Sequence, residues 1–385
     1  MRILLVLLAL VVATSAFDFN VLQDKVLALL RKAEHATLDP IIDAAVKDAL
    51  AETAKIQRPA LLAKPHSDGS LRFRILQIPD LHYTNLALYP CDHKPDTMLG
   101  LCVEAYMTTM VSKMLDDVKP DFVVFTGDQL EALHFPQTWL GSLAAINTYA
   151  AEVEKRKIPW AMVFGNHDEN VDPYLFANKH VMMAYIESLP HSYAKFGPYG
   201  IGGAGNYELR VAAGGASLHL YFLDTGKDGT VSAGQKALLR SFAASHAPEK
   251  APALAFYHIP VQEYNDFNGT GQGSKGEAVS SGVMNTGLFD TMVQMGDVKA
   301  SFCGHDHFND YCFLRGTVHL CYGGGVGYGA AYAKGDHPRT ARVIEWSVSP
   351  KNESNHHLAL QAQHQKHRRQ VLGLPARRPH CLSQP

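Results

Sequence analysis

Phe122-Val123-Val124-Phe125-Thr126-Gly127-Asp128 is a short run of apolar residues that stops on a glycine and a carboxylate. Valine and phenylalanine in succession, without polar alternation, fit a strand covered on both faces, as in a parallel sheet. The pattern recurs. Leu71 to Ile78 runs into Asp80-Leu81-His82, Trp160 to Phe164 into Gly165-Asn166-His167-Asp168, Ala253 to Tyr257 into His258, and Val298 to Phe302 into Gly304-His305-Asp306-His307. Further strands are expected at Leu218 to Leu223, Val318 to Cys321 and Arg342 to Trp346, with helices at Met98 to Val118, Thr138 to Lys155, Pro173 to Ser188, Ser232 to Ser245 and Thr286 to Met295. Strand, loop and helix in alternation predict an α/β fold, and the carboxyl ends of strands in such a sheet share one rim. The polar groups that follow five separate strands should therefore converge in one crevice.

That crevice has the donor chemistry of a metal site. Asp80, His82, Asp128, Asn166, His258, His305 and His307 offer two carboxylates, four imidazoles and one amide oxygen. If Asp128 bridges, two ions each receive four protein contacts, with positions left for water and substrate. Two cations about 3.5–4 Å apart can share a hydroxide and hold both the attacking and the leaving oxygen of a phosphoryl displacement. Their charge exceeds that of two carboxylates and one hydroxide by about one unit, which favours a phosphate oxyanion. Gly127, Gly165 and Gly304 suit tight turns in which backbone passes close to the ions.

In order and spacing, Asp80-x-His82, Gly127-Asp128, Gly165-Asn166-His167-Asp168, His258 and Gly304-His305-x-His307 resemble the calcineurin-like metallophosphoesterase signature over Ile75 to His307. Phe125-Thr126-Gly127-Asp128, Tyr221-Phe222-Leu223-Asp224, Tyr257-His258-Ile259-Pro260, Gly296-Asp297-Val298-Lys299-Ala300 and Leu320-Cys321-Tyr322-Gly323-Gly324 look like the small purple-acid-phosphatase-like branch of plants, with yeast mitotic-exit phosphatase relatives. The resemblance implies a four-layer α/β/β/α sandwich. It implies one ion on Asp80, His82, Asp128 and His307, and the other on Asp128, Asn166, His258 and His305. It gives His167 a place outside the ligands, touching the substrate phosphate and able to protonate the leaving oxygen. Asp168 or Asp306 would orient neighbouring groups.

True purple acid phosphatases place a tyrosine three residues after the bridging aspartate; here that residue is Glu131, and His82 stands where those enzymes lack a histidine. The expectation is a colourless centre, with Fe(II), Mn, Zn or Ni all suited to imidazole and carboxylate donors. A label of inactivity would rest on the missing tyrosine, while all seven donors remain.

The rest of the sequence bounds the setting. Of 385 residues 46% are hydrophobic and 19% charged, with 35 basic and 37 acidic side chains, which excludes chain-wide disorder and any strong pull toward nucleic acid. Arg2, the apolar run Ile3 to Val12 and Ala13-Thr14-Ser15-Ala16 predict a signal peptide over residues 1–16. Residues 17–69 predict two helices broken at Asp39-Pro40 and a linker through Pro59, Pro65 and Gly69. The metallophosphoesterase domain is expected over residues 70–349, and residues 350–385 as a basic, His-rich mobile tail. Its His356, His357, His364 and His367 read as solvated rather than metal-binding. Cys312 and Cys321 could close a hairpin and Cys91 and Cys102 a long loop, while Cys303 and Cys381 have no evident mate. Asn268-Gly269-Thr270 and Asn352-Glu353-Ser354 are glycosylation acceptors in a secretory pathway.

Gly200 to Gly205 matches G-x-G-x-x-G but leads into the strand-like Tyr207 to Val211, so it reads as a flexible loop and not a dinucleotide site. His219, alternating within a strand, reads as packed or solvated and not as catalytic. Gly323 to Gly329 with Tyr322 and Tyr328, His134, Tyr83 and Asn265 to Gly276 are candidates for the rim of the crevice. Together these readings predict a secreted dinuclear-metal phosphoric-ester hydrolase, a phosphomonoesterase first. The alternatives are a phosphodiesterase on nucleotides or lipid head groups, or an exported binding protein without turnover. A phosphoester substrate is the expected partner, with no nucleic-acid scaffold and no membrane span.

Overall fold

Thirteen strands and the helices between them carry the chain in a computed structural model that describes residues 40, 43–44, 46–96, 98–134, 136–169, 178–334, 337–349 and 352–365. In chain order the strands are β1 (Leu61–Leu62), β2 (Lys64–Pro65), β3 (Leu71–Ile78), β4 (Phe122–Thr126), β5 (Trp160–Val163), β6 (Tyr207–Ala213), β7 (Ala216–Phe222), β8 (Ala253–Phe256), β9 (Val298–Cys303), β10 (Cys312–Arg315), β11 (Val318–Tyr322), β12 (Arg339–Ser349) and β13 (Asn352–Gln365). One sheet has the order β13-β12-β3-β4-β5, with β2 paired to β3; the other has the order β1-β6-β7-β8-β9-β11-β10. Within them β3, β4 and β5 run parallel, as do β7, β8, β9 and β11, so the carboxyl ends of each group lie side by side.

Side-chain alternation decides which face of a strand meets what. Leu220 and Phe222 of β7 and Leu254 and Phe256 of β8 share a core with Ile75 of β3 and Phe122 and Val124 of β4, in the other sheet. Their neighbours Tyr221, Ala253 and Ala255 point the opposite way, into a second core with Leu239 of helix Ala233–Ser245 and Leu288 and Met292 of helix Leu288–Met295. Helices Tyr106–Val118 and Pro136–Lys155 cover the first sheet, the former through Met107, Met110, Val111, Met114 and Leu115 at three- and four-residue spacing. Phe125 meets Tyr149 of the latter edge to face at 5.0 Å. The order helix, sheet, sheet, helix is the expected α/β/β/α sandwich.

Three expectations need correction. The helix anticipated from Met98 begins at Tyr106, because the Cys91–Cys102 disulfide and the Cys91 N–H to Cys102 carbonyl bond of 3.0 Å fold residues 91–102 into a loop. The stretch 59–69, anticipated as a linker, supplies β1 and β2, which find open edges at β6 and β3. The tail anticipated as mobile from residue 350 contains β13, antiparallel to β12 and pairing Leu358 with Trp346 and Leu360 with Ile344. The unpaired edge of β12 gives that polar segment the hydrogen-bonding partner its composition does not advertise. Of the anticipated N-terminal helices, residues 46–53 are helical. The anticipated signal peptide (1–16) and residues 366–385 lie outside the described residues. Cys312 and Cys321 form the second disulfide, closing the β10–β11 hairpin, and Cys303 is buried. The Gly200 to Gly205 loop is held by the Ala204 N–H, which donates to Asp224 Oδ2 at 2.9 Å, and it leads into β6.

Candidate metal centre

All seven predicted donors meet at the carboxyl ends of the central strands. Asp80 and His82 follow β3, Asp128 follows β4, Asn166 follows β5, His258 follows β8, and His305 and His307 follow β9. The turns that deliver them are sharp: Asp80, His82, Asp128 and His305 adopt positive φ of 54°, 55°, 52° and 79°. A non-glycine residue in that region carries backbone strain, which concentrates where geometry serves a site.

The donors sort into two triads. Ligand atoms of Asp80, His82 and His307 lie within 4.8 Å of one another, as do those of Asp128, His258 and His305. His307 Nε2 is 3.5 Å from Asp80 Oδ1 and 3.3 Å from His82 Nε2. Asp128 Oδ2 stands between the triads, 3.0 Å from His258 Nε2 and 3.7 Å from His82 Nε2. Asn166 Oδ1 is 3.1 Å from His258 Nε2.

Three observations fit this pocket to cations. The Nδ1 atoms of three histidines face acceptors: Glu131 Oε2 at 2.7 Å from His82, the Thr126 carbonyl at 2.8 Å from His258, and the Tyr332 carbonyl at 2.9 Å from His307. An acceptor at Nδ1 turns the Nε2 lone pair toward the ion, the usual support of a metal-bound imidazole. Burial pushes the His305 and His307 imidazoles down to about 4, which keeps them in the neutral form that can coordinate. Burial likewise pushes the Asp80 carboxyl up to about 7, with Asp128 adding to the rise. Burial acts the same way on Asp128, but His258 and His167 hold its carboxylate well below the ordinary range. A pocket that strains to keep two carboxylates ionised gains from a divalent cation in the proton's place.

Glu131 gathers the histidines on the open side. Its carboxylate lies 2.8 Å from His167 Nδ1, 2.7 Å from His82 Nδ1 and 3.0 Å from His134 Nδ1. Burial would raise it, yet the hydrogen bonds from His167 and His82 hold it down at about 2. Burial would lower His167, but Asp128 and Glu131 raise that imidazole to about 9, so it carries a proton at neutral pH. His167 also donates its backbone N–H to Asp128 Oδ1 at 2.7 Å. The Asp168 carboxylate accepts from the N–H groups of Asp128, Gly165 and Leu130 at 2.9, 2.7 and 2.8 Å, tying the β4 and β5 turns together. Tyr322 donates to Asp306 Oδ2 at 2.6 Å, and Tyr332 stacks on His307 with ring centroids 3.8 Å apart.

The motif glycines clear space for ligands arriving from other strands. A Cβ on Gly127, whose φ is +89°, would stand 2.5 Å from His258 Nδ1, and one on Gly165 would run into Asp128 Oδ1 with Asp128 Cγ at 2.8 Å. Gly165→Ala is therefore expected to push the Asp128 carboxylate aside, costing about 1–3 kcal/mol as an overpacked site does. Elemental analysis should show at least half of the bound metal lost, and urea unfolding a lower midpoint. Full metal content at an unchanged midpoint would refute the steric argument.

Sequence reasoning read Glu131 only as the absence of a tyrosine and overlooked Tyr332. The signal for Glu131 was its place three residues past Asp128; Tyr332, in a distant loop, had none. Of the rim candidates, His134 reaches the site through Glu131. Tyr83 is buried, with its hydroxyl 3.2 Å from Thr108 Oγ1. Gly323 to Gly329 packs behind the donors, the Gly327 N–H donating to the Asp80 carbonyl at 2.9 Å.

A family model described as calcineurin-like phosphoesterase matches residues 73–309. The chain is 33% identical over 313 residues to probable inactive purple acid phosphatase 29 of Arabidopsis thaliana, covering 73% of this chain and 78% of that protein. It is 31% identical over 317 residues to phosphatase DCR2 of Saccharomyces cerevisiae, covering 74% of this chain and 53% of that one. A dimetal phosphatase from Danio rerio superposes with a TM-score of 0.49 at 13% identity, over 71% of this chain and 95% of its own.

Proposed function

The chain belongs to the calcineurin-like phosphoesterase family, and from that premise we propose that it hydrolyses phosphoric esters, monoesters foremost, at a dinuclear metal centre. Asp80, His82 and His307 would hold one cation and Asn166, His258 and His305 the other, with Asp128 shared. The observation that carries this reading is the position of Asp128 Oδ2, 3.0 Å from His258 Nε2 and 3.7 Å from His82 Nε2. Bound there, two divalent cations supply Lewis acidity toward phosphoryl oxygens and a nucleophile drawn from water at neutral pH.

The chain's own residues supply the rest. Glu131 occupies Nδ1 of His167, which leaves Nε2 as the nitrogen from which a proton passes to the leaving oxygen. The His167 side chain is 22% exposed, open enough to meet an entering ester. Asp168 holds the two turns that present Asp128 and His167 and so keeps acid and ligand in register. The disulfides Cys91–Cys102 and Cys312–Cys321 suit an oxidising compartment, in keeping with a protein of the secretory pathway. Among the described residues no helix is long and apolar enough to cross a membrane.

The preference for monoesters takes its support from relatives named as phosphatases. The word inactive in a plant relative's name favours a second reading, a binding protein that keeps the scaffold without turnover. Turnover of an aryl phosphate and of its matching diester by metal-loaded protein separates these. The expected result is a monoester rate at least about tenfold higher. Preference for the diester would move the assignment to a phosphodiesterase, and bound metal with neither ester hydrolysed would support the binding protein.

A further inference from the structure

A second cluster of metal-ligand side chains lies on the outer face of the β6-to-β10 sheet. Glu208 of β6, His219 of β7 and His246, the residue that ends helix Ala233–Ser245, bring their ligand atoms within 4.8 Å of one another. His219 is in register with Ala253 and Ala253 with Val298, the first residues of β8 and β9. His258 and His305 follow the last residues of those same strands. The cluster therefore sits toward the opposite end of the sheet from the centre described above.

This cluster is polar, largely buried and only partly satisfied. His219 and His246 are 3% and 6% exposed, and their rings stack with centroids 3.4 Å apart. Neither ring nitrogen of His219 has a hydrogen-bond partner, nor does Glu208 Oε2. Glu208 Oε2 stands 3.8 Å from His219 Nδ1 and 3.6 Å from His246 Nε2, and Glu249 Oε2 stands 3.6 Å from His219 Nε2. Those gaps are too long for hydrogen bonds. The two Glu208 gaps approach the ligand-to-ligand spacing of roughly 3.4 Å that a tetrahedral ion imposes with bonds of about 2.0–2.2 Å, and one ring must turn off the stack for both imidazoles to aim in-plane lone pairs at one ion. A buried imidazole with both nitrogens unpaired is costly to keep, and a bound cation removes that cost.

We propose that Glu208, His219 and His246 form a separate site for one divalent cation of the zinc class. Two borderline imidazole nitrogens with one carboxylate oxygen make a donor set that zinc takes. Tyr221 holds the outer side of the site: its hydroxyl donates to Asp297 Oδ2 at 2.6 Å and its oxygen lies 2.8 Å from His246 Nε2. Coordination takes the Nε2 lone pair of His246, so the ring proton that Nε2 carries toward Tyr221 moves to Nδ1 and the imidazole stays neutral. A cavity of about 270 Å³ borders the site at His246 and Asp297, with Lys250 and Lys299 on the same wall. The three protein ligands leave a fourth position for water.

Zn2+ alone is the probe. Equilibrium dialysis of the full chain against Zn2+ should show Glu208→Gln, at a half-buried strand position with little folding risk, binding one equivalent fewer than wild type. It should keep its phosphoesterase rate and the metal of the strand-end centre. The Asp128→Asn chain should still take up one equivalent, and adding His219→Phe to it should abolish that. X-ray diffraction at the zinc edge on Zn2+-soaked wild-type crystals gives the direct check, a peak among the three side chains. Equal stoichiometry in wild type and Glu208→Gln, or no peak there at saturating Zn2+, overturns the proposal.

Discussion

Asp128→Asn is expected to strip both cations from the strand-end centre and to lower phosphoester turnover by about a thousandfold or more, the scale of several kcal/mol of lost Lewis-acid stabilisation. The substitution is nearly isosteric, and its backbone cost is small. Asp128 sits at φ 52°, and asparagine is among the few residues that tolerate the left-handed region. An amide oxygen can still accept the His167 N–H that Asp128 Oδ1 now takes at 2.7 Å. What changes is the other atom. An amide N–H2 group in place of Oδ2 would aim donors at His258 Nε2, 3.0 Å away, and at His82 Nε2, 3.7 Å away, where a shared anion is required. The fold should therefore survive while the centre fails. Elemental analysis, a thermal melt and a rate together test this: metal retained with activity lost, or metal lost with activity kept, would contradict a shared carboxylate.

The core strands were readable because β4, β5 and β8 are buried on both faces, which forces runs of apolar residues that no surface helix shows. β13 was not, because its Leu358, Leu360 and Ala362 are diluted among His, Gln and Asn, and its stability depends on an edge of β12 that only the folded sheet supplies. The loop before Tyr106 misled for the opposite reason. Leu99 and Leu101 resemble helix positions, yet they stand 95% and 90% exposed because a disulfide, not burial, fixes the backbone there.

The same distinction separates the donors from their supports. Each of the seven donors sits within a few residues of a strand end, so local sequence and the rule that strand ends share a rim locate all of them at once. Glu131 and Tyr332 act through contacts with side chains from other segments. Of the histidines at Glu131, His134 is three residues further along, but His82 and His167 follow β3 and β5, and no spacing in the chain links those two to it. The stacking of His219 on His246 went unread for that reason too: one is on β7 and the other ends a helix, and their meeting is a property of packing alone.

His167→Ala should leave the metal content at the wild-type level and lower kcat by about 10²–10⁴-fold, the span of a lost general acid. Glu131→Gln should differ in kind. The amide keeps one oxygen for His82 or His167 but loses the charge that holds both, so metal affinity is expected to fall about 10–100-fold through His82, and turnover through His167. Because the two residues act through one hydrogen bond of 2.8 Å, their effects on kcat should not add in the double variant. The leaving group supplies the sharper test. An ester of an acidic phenol departs without a proton, so the His167→Ala deficit should shrink on it, whereas an alkyl phosphate must receive one and should show the full loss. A deficit of equal size on both esters would mean that His167 acts on binding and not on proton transfer. Metal loss in His167→Ala matching that in Glu131→Gln would mean that the imidazole supports the ligands instead.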